Sequence, residues 1–212
     1  MKSILNLFDS LSQDYAFQKD IRAFLVNNPD AGFISEKLLE FINARDTEKP
    51  KESALIRFLR DHRDDRGVMA DLRGAIIESK RLKAVPWLAR FGGIENKAVQ
   101  TIAACYALHP QETGKGNFGA TCLALVDDEE RHKLHETGEP GRLTKRFMHL
   151  LEAEGEEVFD RVTKFVLRAK ASDVPVNYEQ LFSDLKYWTV DPVRIRERWA
   201  KSYWTPKMGG EA

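Results

Sequence analysis

Long apolar runs, a cysteine framework and an excess charge of one sign are all missing from this 212-residue sequence. A membrane-spanning helix needs about 20 consecutive apolar residues, and no stretch here approaches that length. The short apolar stretch at the N-terminus is interrupted at Asp9, so we do not expect a secretory signal peptide. Only Cys105 and Cys122 are present, both in apolar segments, and we predict that both are buried. These absences favour a cytoplasmic protein with no membrane partner.

Charge is balanced over the whole chain but not along it. The 33 Lys and Arg residues equal the 33 Asp and Glu residues in number. Residues 51–100 contain 11 basic and 7 acidic side chains, residues 101–160 contain 6 and 12, and residues 161–212 contain 10 and 6. Two basic regions therefore flank an acidic one, and phosphate binding depends on such local patches rather than on the total.

Apolar residues recur at helical spacing along most of the chain. Leu55, Phe58 and Leu59 follow the i, i+3, i+4 pattern of one helix face, and residues 147–151 repeat it. No segment alternates apolar and polar residues over the length of a strand. The sequence predicts an all-α fold.

The loop 111–117, with Gly114 and Gly116, is the best candidate for a domain junction. We predict two small helical bundle domains joined by this Gly-containing loop. The N-terminal helical domain covers residues 51–112, and the C-terminal helical bundle covers residues 117–212. Residues 1–50 are predicted to be a helical N-terminal extension or a part of the first domain.

Short polar residues and prolines predict where individual helices begin. Asp64-Asp65, Asn177 and Asp191 stand where N-cap residues belong. Pro86 and Pro192 are predicted to lie in first turns, because a residue there needs no N–H.

The segment from Gly114 to Gly119 matches the G-x-G-x-x-G pattern of dinucleotide-binding proteins. That fingerprint requires a strand before the loop and a βαβ unit around it, whereas a predicted helix precedes this loop. A P-loop is excluded too, since Gly116 follows Lys115 where Ser or Thr is required. We interpret the segment as a loop that leads into a helix, with amide groups that a phosphate could contact.

Catalytic and metal-binding patterns are also missing. His132 and His135 are three residues apart on a predicted helix, but the H-E-x-x-H pattern is absent and no third ligand is evident. No serine occupies a nucleophile elbow. The carboxylate-rich stretches 127–130 and 152–157 are typical of exposed helix ends. We therefore expect no metal, no other cofactor and no enzymatic activity.

Basic clusters are the remaining functional signal. One covers residues 142–146, and Arg161, Lys164 and Arg168 lie at i, i+3 and i+7 on one helix face. Spaced, flexible cations of this kind suit a phosphate backbone. A solvated face of ion pairs would have the same pattern, so both interpretations stay open.

Four aromatic residues near the C-terminus have rings that could stack on nucleic-acid bases: Trp188, Trp199, Tyr203 and Trp204. The first three fit a core between the last two helices better. Trp199 and Tyr203 are four residues apart, which places them on the same helix face.

Four short segments stand in a characteristic order and spacing. They are residues 101–110 (TIAACYALHP), 117–125 (NFGATCLAL), 146–151 (RFMHLL) and 184–188 (DLKYW), the last running on to 198–204 (RWAKSYW). Together they resemble the CasB family, the small subunit of the type I-E CRISPR Cascade complex. The resemblance covers roughly residues 53–204.

The resemblance implies an all-α, non-catalytic subunit of an antiviral CRISPR surveillance complex. In that family, two copies lie beside the crRNA-bearing backbone of Cascade. They help to hold the crRNA–target hybrid and, through basic residues, the displaced non-target strand of the R-loop. The expected partners are therefore other Cascade subunits, a second copy of the chain, crRNA and target DNA.

By the same analogy, six residues are expected to contact nucleic-acid phosphates without sequence specificity: Arg73, Lys97, Arg142, Arg146, Lys164 and Arg168. Arg73 matches the first Arg of the family's Leu-Arg-Arg helix, and Gly74 replaces the second. Thr163 replaces one member of an Arg pair, and Lys164 stands at the other. The alternative is a helical protein–protein scaffold in which the basic clusters contact acidic partner surfaces.

Overall fold

Helices make up the fold throughout the part of the chain that the computed structural model describes, which is residues 52–205 apart from the side chain of His135. Ten α-helices follow one another in these residues, with one 3-10 turn (Ala89–Phe91) and no β-strand. They are α1 (Ala54–Asp61), α2 (Arg66–Arg73), α3 (Arg81–Leu88), α4 (Lys97–Leu108), α5 (Phe118–Ala124), α6 (Asp128–Thr137), α7 (Arg142–Leu151), α8 (Glu157–Ala171), α9 (Tyr178–Tyr187) and α10 (Pro192–Trp204). The all-α prediction is confirmed. The predicted segment 1–50 lies outside the described residues.

Helix starts follow the predicted caps in three cases. Asp65, Asn177 and Asp191 each accept a hydrogen bond from a backbone N–H in the first turn of α2, α9 and α10. Pro192 is the first residue of α10, as predicted. Such caps satisfy amide groups that have no partner inside the helix.

The expectation for Pro86 is wrong, because Pro86 lies in the second half of α3 rather than in a first turn. The backbone N–H groups of Lys80 and Arg81 already bond to the carbonyl of Ile77, so the helix begins from this upstream turn. Proline has no N–H to continue the helix. The chain leaves α3 after Leu88 through the 3-10 turn and a left-handed Gly92.

Helix α4 is the centre of the fold. Every residue from Ala98 to Ala107 is buried, so this helix has no solvent-facing side over that length. It packs against α1 and α2, which precede it, and against α8 and α9, which follow the loop 111–117. The division into domains at that loop stays a prediction.

The loop 111–117 is tied to the start of α9. The backbone of Val176 donates to Gln111 and accepts from Thr113, and the side chain of Asn177 donates to the carbonyl of Gly116. Gly116 adopts a left-handed conformation with a φ of 71°, which explains a glycine there. The loop leads into α5, as interpreted from the sequence.

Helices α5 and α10 cross in close contact at Gly119. A Cβ atom at this position would overlap the carbonyl oxygen of Trp199 and lie 2.8 Å from its Cα. The last glycine of the G-x-G-x-x-G match therefore serves helix packing. Trp188, Trp199 and Tyr203 are buried around this crossing, which confirms the prediction that they belong to the core.

Asp184 is a buried carboxylate that links α9 to α10. It accepts hydrogen bonds from the side chains of Gln180 (2.7 Å) and Trp199 (2.5 Å) and forms an ion pair with Arg198. Burial raises the pKa of Asp184, while the charge of Arg198 and the two N–H donors act in the opposite direction. This arrangement satisfies a charge that would otherwise be costly to bury.

Both cysteines are buried, as predicted. Burial raises the pKa of Cys105 to about 12 and also raises the pKa of Cys122. Neither thiol is therefore activated as a nucleophile. Within residues 52–205, no helix combines the length and the apolar character that crossing a bilayer requires.

Candidate nucleic-acid interface

A groove of about 590 Å³ runs between α7 and α8. Four of the residues that line it are Arg or Lys, one is His, and none of them is a carboxylate. The lining residues are Arg146, His149, Arg161, Lys164, Phe165, Leu167, Arg168 and Ala171. Of the six residues expected to contact phosphates, the structure brings three together here: Arg146, Lys164 and Arg168.

Helical periodicity explains why these cations share one groove. On α7, Phe147 and Leu150 are buried, which leaves Arg146 and His149 beside the buried face. On α8, the buried residues include Val162, Phe165 and Val166, so the cations at i, i+3 and i+7 emerge along the adjoining face. Packing of α7 against α8 then brings the two rows together.

Arg161 holds the two walls of the groove together. Its guanidinium donates to the backbone carbonyl of His149 on α7 and pairs with Glu157, 3.0 Å away on α8. Arg146, Lys164 and Arg168 form no ion pair with any carboxylate among the described residues. These three cations are consequently available to an external anion.

Arg142 extends the row of cations beyond the groove. It is the first residue of α7, is exposed, and stands four residues before Arg146 on the same helix face. His149 follows Arg146 by three residues. Arg142, Arg146 and His149 therefore form one stripe along α7.

Arg73 and Lys97 lie elsewhere. Arg73 donates through Nε to the carbonyl of Ala107, near the C-terminal end of α4 (3.0 Å). The Nζ of Lys97 is 3.7 Å from the carboxylate of Glu156. Neither residue lines the groove, and whether either contacts nucleic acid stays a prediction.

Lys97 lines a second cavity, of about 460 Å³, with a different charge pattern. Its ionisable lining consists of four carboxylates and two cations: Glu78, Glu156, Glu157, Asp160, Arg81 and Lys97. Helix α8 thus carries acidic residues into this cavity at its N-terminal end and basic residues into the groove further along.

His149 and Leu167 are groove residues that sequence reasoning missed. No metal or catalytic pattern in the sequence includes His149, but its spacing of three residues from Arg146 on an amphipathic helix could have identified it. Leu167 is 45% exposed. Its exposure could not be derived from the sequence, because an apolar residue on α8 is more simply expected in the core.

No cluster of three or more His, Cys, Asp or Glu residues that could hold a metal ion occurs within the described part of the chain. His132 is exposed on α6, and its ring nitrogen lies 3.2 Å from the carboxylate of Glu136. The expectations of no cofactor and no enzymatic activity stay predictions.

The fold and the groove define an all-α protein with a cationic interhelical surface, and comparison with known proteins gives its family. The sequence model of the CRISPR-associated protein Cse2 matches residues 68–204, so the chain belongs to the Cse2 family of CRISPR-associated proteins. The predicted resemblance to the CasB family is confirmed.

Two solved structures from Thermus thermophilus share this fold. One, a CRISPR-associated protein of the Cse2 family, is 17% identical, with a TM-score of 0.55, and the other, CasB, is 18% identical, with a TM-score of 0.54. Each match covers 71% of this chain and 95% of the other. A search among curated protein sequences gave no match.

Proposed function

We propose that the groove between α7 and α8 binds the phosphate backbone of nucleic acid, and that the chain is a non-catalytic subunit of a CRISPR surveillance complex of the Cascade type. Its role there is to stabilise the crRNA–target hybrid and the displaced strand of the R-loop. The observation that carries this proposal is the meeting of Arg146, Lys164 and Arg168 in one groove, where none of the described lining residues is a carboxylate.

The lining chemistry favours backbone contact without sequence specificity. Lys164 and Arg168 are exposed cations on long, flexible side chains, and such side chains contact phosphates in any sequence. Base reading relies instead on fixed, paired donors and acceptors at the base edges. Asn and Gln, the usual readers of adenine, are absent from the lining residues.

The neutral net charge is compatible with this proposal because the charges are separated. The carboxylates near the N-terminal end of α8 line the second cavity, and the unpaired cations line the groove. Two carboxylates do lie at the groove wall, but each already has a partner there: Glu157 pairs with Arg161 at 3.0 Å, and Glu152 lies 3.2 Å from the ring nitrogen of His149. An anion in the groove therefore responds mainly to the local cations.

The proposal is tested by reconstituting a Cascade complex with crRNA, other tagged Cascade subunits and this full-length chain. We expect the wild-type chain to co-purify with the complex. The double variant Lys164→Glu/Arg168→Glu should co-purify equally well but weaken binding of target DNA. Lys170→Glu is the matched control, because Lys170 is an exposed cation on α8 that does not line the groove.

Two results would contradict the proposal. The first would be an assembled complex that lacks the folded wild-type chain, which would contradict the proposal that this chain is a subunit. The second result would be an equal affinity for target DNA in complexes with the wild-type chain, the double variant and the Lys170→Glu control. It would show that the groove does not contribute to DNA binding.

A protein–protein scaffold without nucleic-acid contact is the second candidate. It is favoured by apolar side chains exposed around α3, of which Leu82 is 78% exposed and Ile94 is 53% exposed. Exposed apolar side chains mark a contact with another subunit when they form one continuous patch. Binding of the isolated chain to single-stranded DNA distinguishes the candidates, because phosphate contacts give an affinity that falls steeply with salt.

A further inference from the structure

We propose that the second cavity, which the segment 75–81, α4 and α8 line, binds the guanidinium group of an arginine side chain on a partner protein. This site is separate from the groove and does not depend on the function proposed for it. Of the residues that line the cavity, Glu78, Asp160 and Arg81 form no ion pair within the described part of the chain. Two unpaired carboxylates therefore accompany one unpaired cation.

The remaining charges of the cavity are already paired. The Nζ of Lys97 lies 3.7 Å from Glu156, and Glu157 forms its ion pair with Arg161 at 3.0 Å. These pairs contribute little net charge to the cavity. Its uncompensated charge is consequently negative, which favours a cationic ligand.

Thr101 is a buried polar residue that lines this cavity and is 1% exposed. Two contacts between α4 and α8 fix its surroundings: Lys97 with Glu156, and the Sγ of Cys105 with the Oγ1 of Thr163, 3.7 Å apart. Thr101 is four residues from both Lys97 and Cys105, so all three lie on one face of α4. It therefore faces the part of α8 midway between the two contacts, where Asp160 lies.

The Thr101 hydroxyl forms no hydrogen bond among residues 52–205. A threonine inside a helix commonly bonds to the carbonyl four residues earlier, as Thr163 does to Phe159 at 2.8 Å. Thr101 makes no such bond to Lys97. A buried hydroxyl without a partner is costly, so this group marks a position where a ligand in the cavity would find a hydrogen-bond partner.

Gln100 supplies a second buried acceptor to the cavity. It is 2% exposed, and its Nε2 donates to the carbonyls of Gly93 (2.8 Å) and Ile94 (2.9 Å). These two bonds fix the amide group. Its oxygen accepts no hydrogen bond from the described residues and is left for a donor in the cavity.

The chemistry of these groups selects the ligand. Two carboxylates, an amide oxygen and a hydroxyl all accept hydrogen bonds, so the ligand that satisfies them is a cation with several donors. A guanidinium group has five N–H donors in a fixed plane and is more weakly hydrated than an ammonium group. Ala75, Ile76 and Phe159 add apolar surface on which the methylene groups of an arginine can pack.

Ile76 indicates that a protein presents this arginine. It lines the cavity and is nevertheless 40% exposed, so the cavity has an apolar edge that faces solvent. Arginine is enriched among the residues that anchor protein–protein contacts, where surrounding contacts exclude water. A residue beside the arginine on the partner can cover Ile76, whereas a small free cation leaves it exposed.

The test titrates the full-length chain with three probes and follows the NMR signals of the Thr101 methyl group and the Gln100 side-chain amide. N-acetylarginine amide carries the guanidinium group, N-acetylcitrulline amide has a neutral urea group of the same shape, and acetyl-Leu-Arg-Leu-amide adds apolar neighbours. We expect the arginine probe to shift both signals and the citrulline probe to bind about 10-fold more weakly or less. The tripeptide should bind at least about 3-fold more tightly than the single arginine, because it also covers Ile76.

Charge variants of the cavity test its electrostatics. Glu78→Gln/Asp160→Asn should weaken binding of N-acetylarginine amide by roughly 5- to 30-fold. Glu154→Gln is the matched control and should leave it unchanged, because Glu154 is an exposed carboxylate that does not line the cavity. Arg81→Gln should strengthen binding by about 2-fold, since it removes a like charge.

Thr101→Val separates a ligand contact from a structural role. Valine has a similar shape but no hydroxyl, and this hydroxyl has no partner in the described fold. The variant should therefore be at least as stable to urea as the wild-type chain. Its affinity for N-acetylarginine amide should nevertheless fall by about 10-fold, because a hydrogen bond to a charged group is lost.

Four results would overturn this proposal. They are equal affinities for the arginine and citrulline probes, wild-type affinity in the Glu78→Gln/Asp160→Asn double variant, wild-type affinity in Thr101→Val, and arginine binding that leaves the Thr101 and Gln100 signals unmoved. A tripeptide that binds no better than the single arginine would assign the cavity to a free guanidinium compound and overturn the protein partner. The groove is tested by DNA binding, so failure here would leave the proposed function unaffected.

Discussion

Replacement of Asp184 by alanine tests the buried contact between α9 and α10. Asp184 is 1% exposed and accepts hydrogen bonds from Gln180 and Trp199 while pairing with Arg198. Alanine removes all three interactions without opening the site to solvent. The side chains that donated to the Asp184 carboxylate then have no acceptor, and they differ in how well water can replace it.

The magnitude follows from the exposure of each donor. Trp199 is fully buried, so its indole N–H would be left without an acceptor, at a cost of about 1–3 kcal/mol. The Arg198 side chain is 39% exposed and can turn to water, so its loss is about 0–1 kcal/mol. Gln180 is only partly buried, and the loss of its hydrogen bond costs about 1 kcal/mol. We expect Asp184→Ala to lower the free energy of unfolding by roughly 2–5 kcal/mol. For a domain of this size, that lowers Tm by about 4–20 °C.

Urea unfolding followed by tryptophan fluorescence measures this change, since Trp199 lies at the site. Asp184→Asn should cost about 1 kcal/mol, because the amide keeps an oxygen for Trp199 but loses the charge that faces Arg198. Glu154→Ala, which removes an exposed carboxylate, should be nearly neutral. A loss in Asp184→Ala no larger than that in Glu154→Ala would refute the reasoning.

Three further predictions concern packing, pH and salt. Gly119→Ala should destabilise the protein by about 3 kcal/mol or more in the same urea assay, whereas Gly114→Ala, with open space around it, should not. Burial alone would raise the pKa of Glu130, but the hydrogen bonds from the start of α7 lower it. Glu130→Gln should therefore lower the free energy of unfolding by about 1 kcal/mol at pH 7. The difference in this free energy from the wild-type protein should disappear as pH falls below about 4, because the Glu130 carboxylate then becomes protonated. A difference that stays constant with pH would contradict this prediction. Because the groove has three unpaired cations, we expect a plot of log affinity for single-stranded DNA against log salt concentration to have a slope of about −2. Lys164→Gln should reduce the magnitude of this slope by about 0.7, whereas Lys170→Gln should leave the slope unchanged.

Elements set by local chemistry could be predicted from the sequence. The all-α class follows from apolar spacing, and the caps at Asp65, Asn177 and Asp191 follow from side chains that bond to their own first turn. The prediction for Pro86 is wrong because the start of α3 depends on a turn at residues 77–80. No residue type in that segment indicates such a turn. Local propensity is a weak guide where a preceding turn extends the helix.

The candidate site could be predicted only in part, because it depends on how helices pack. The spacing of Arg161, Lys164 and Arg168 showed that they share a face of α8, but the groove forms where α7 packs beside them. Lys97 was grouped with these residues by resemblance, whereas packing places it beside Glu156. The Glu130 carboxylate that caps α7 was also missed, since its partners are 13 and 14 residues away.

The acidic and basic side chains of α8 are segregated toward opposite ends of the helix, which gives this electrically neutral protein a charge dipole along α8. Acidic side chains occupy its first turns and Lys164, Arg168 and Lys170 its later ones, over a helix of 15 residues, or about 22 Å. This order also complements the helix dipole, so the same charges stabilise the helix. A polyanion that approaches at low ionic strength meets a torque that turns the basic end toward it before contact. Orientation can thus be selected during diffusion even though the total charge provides no attraction.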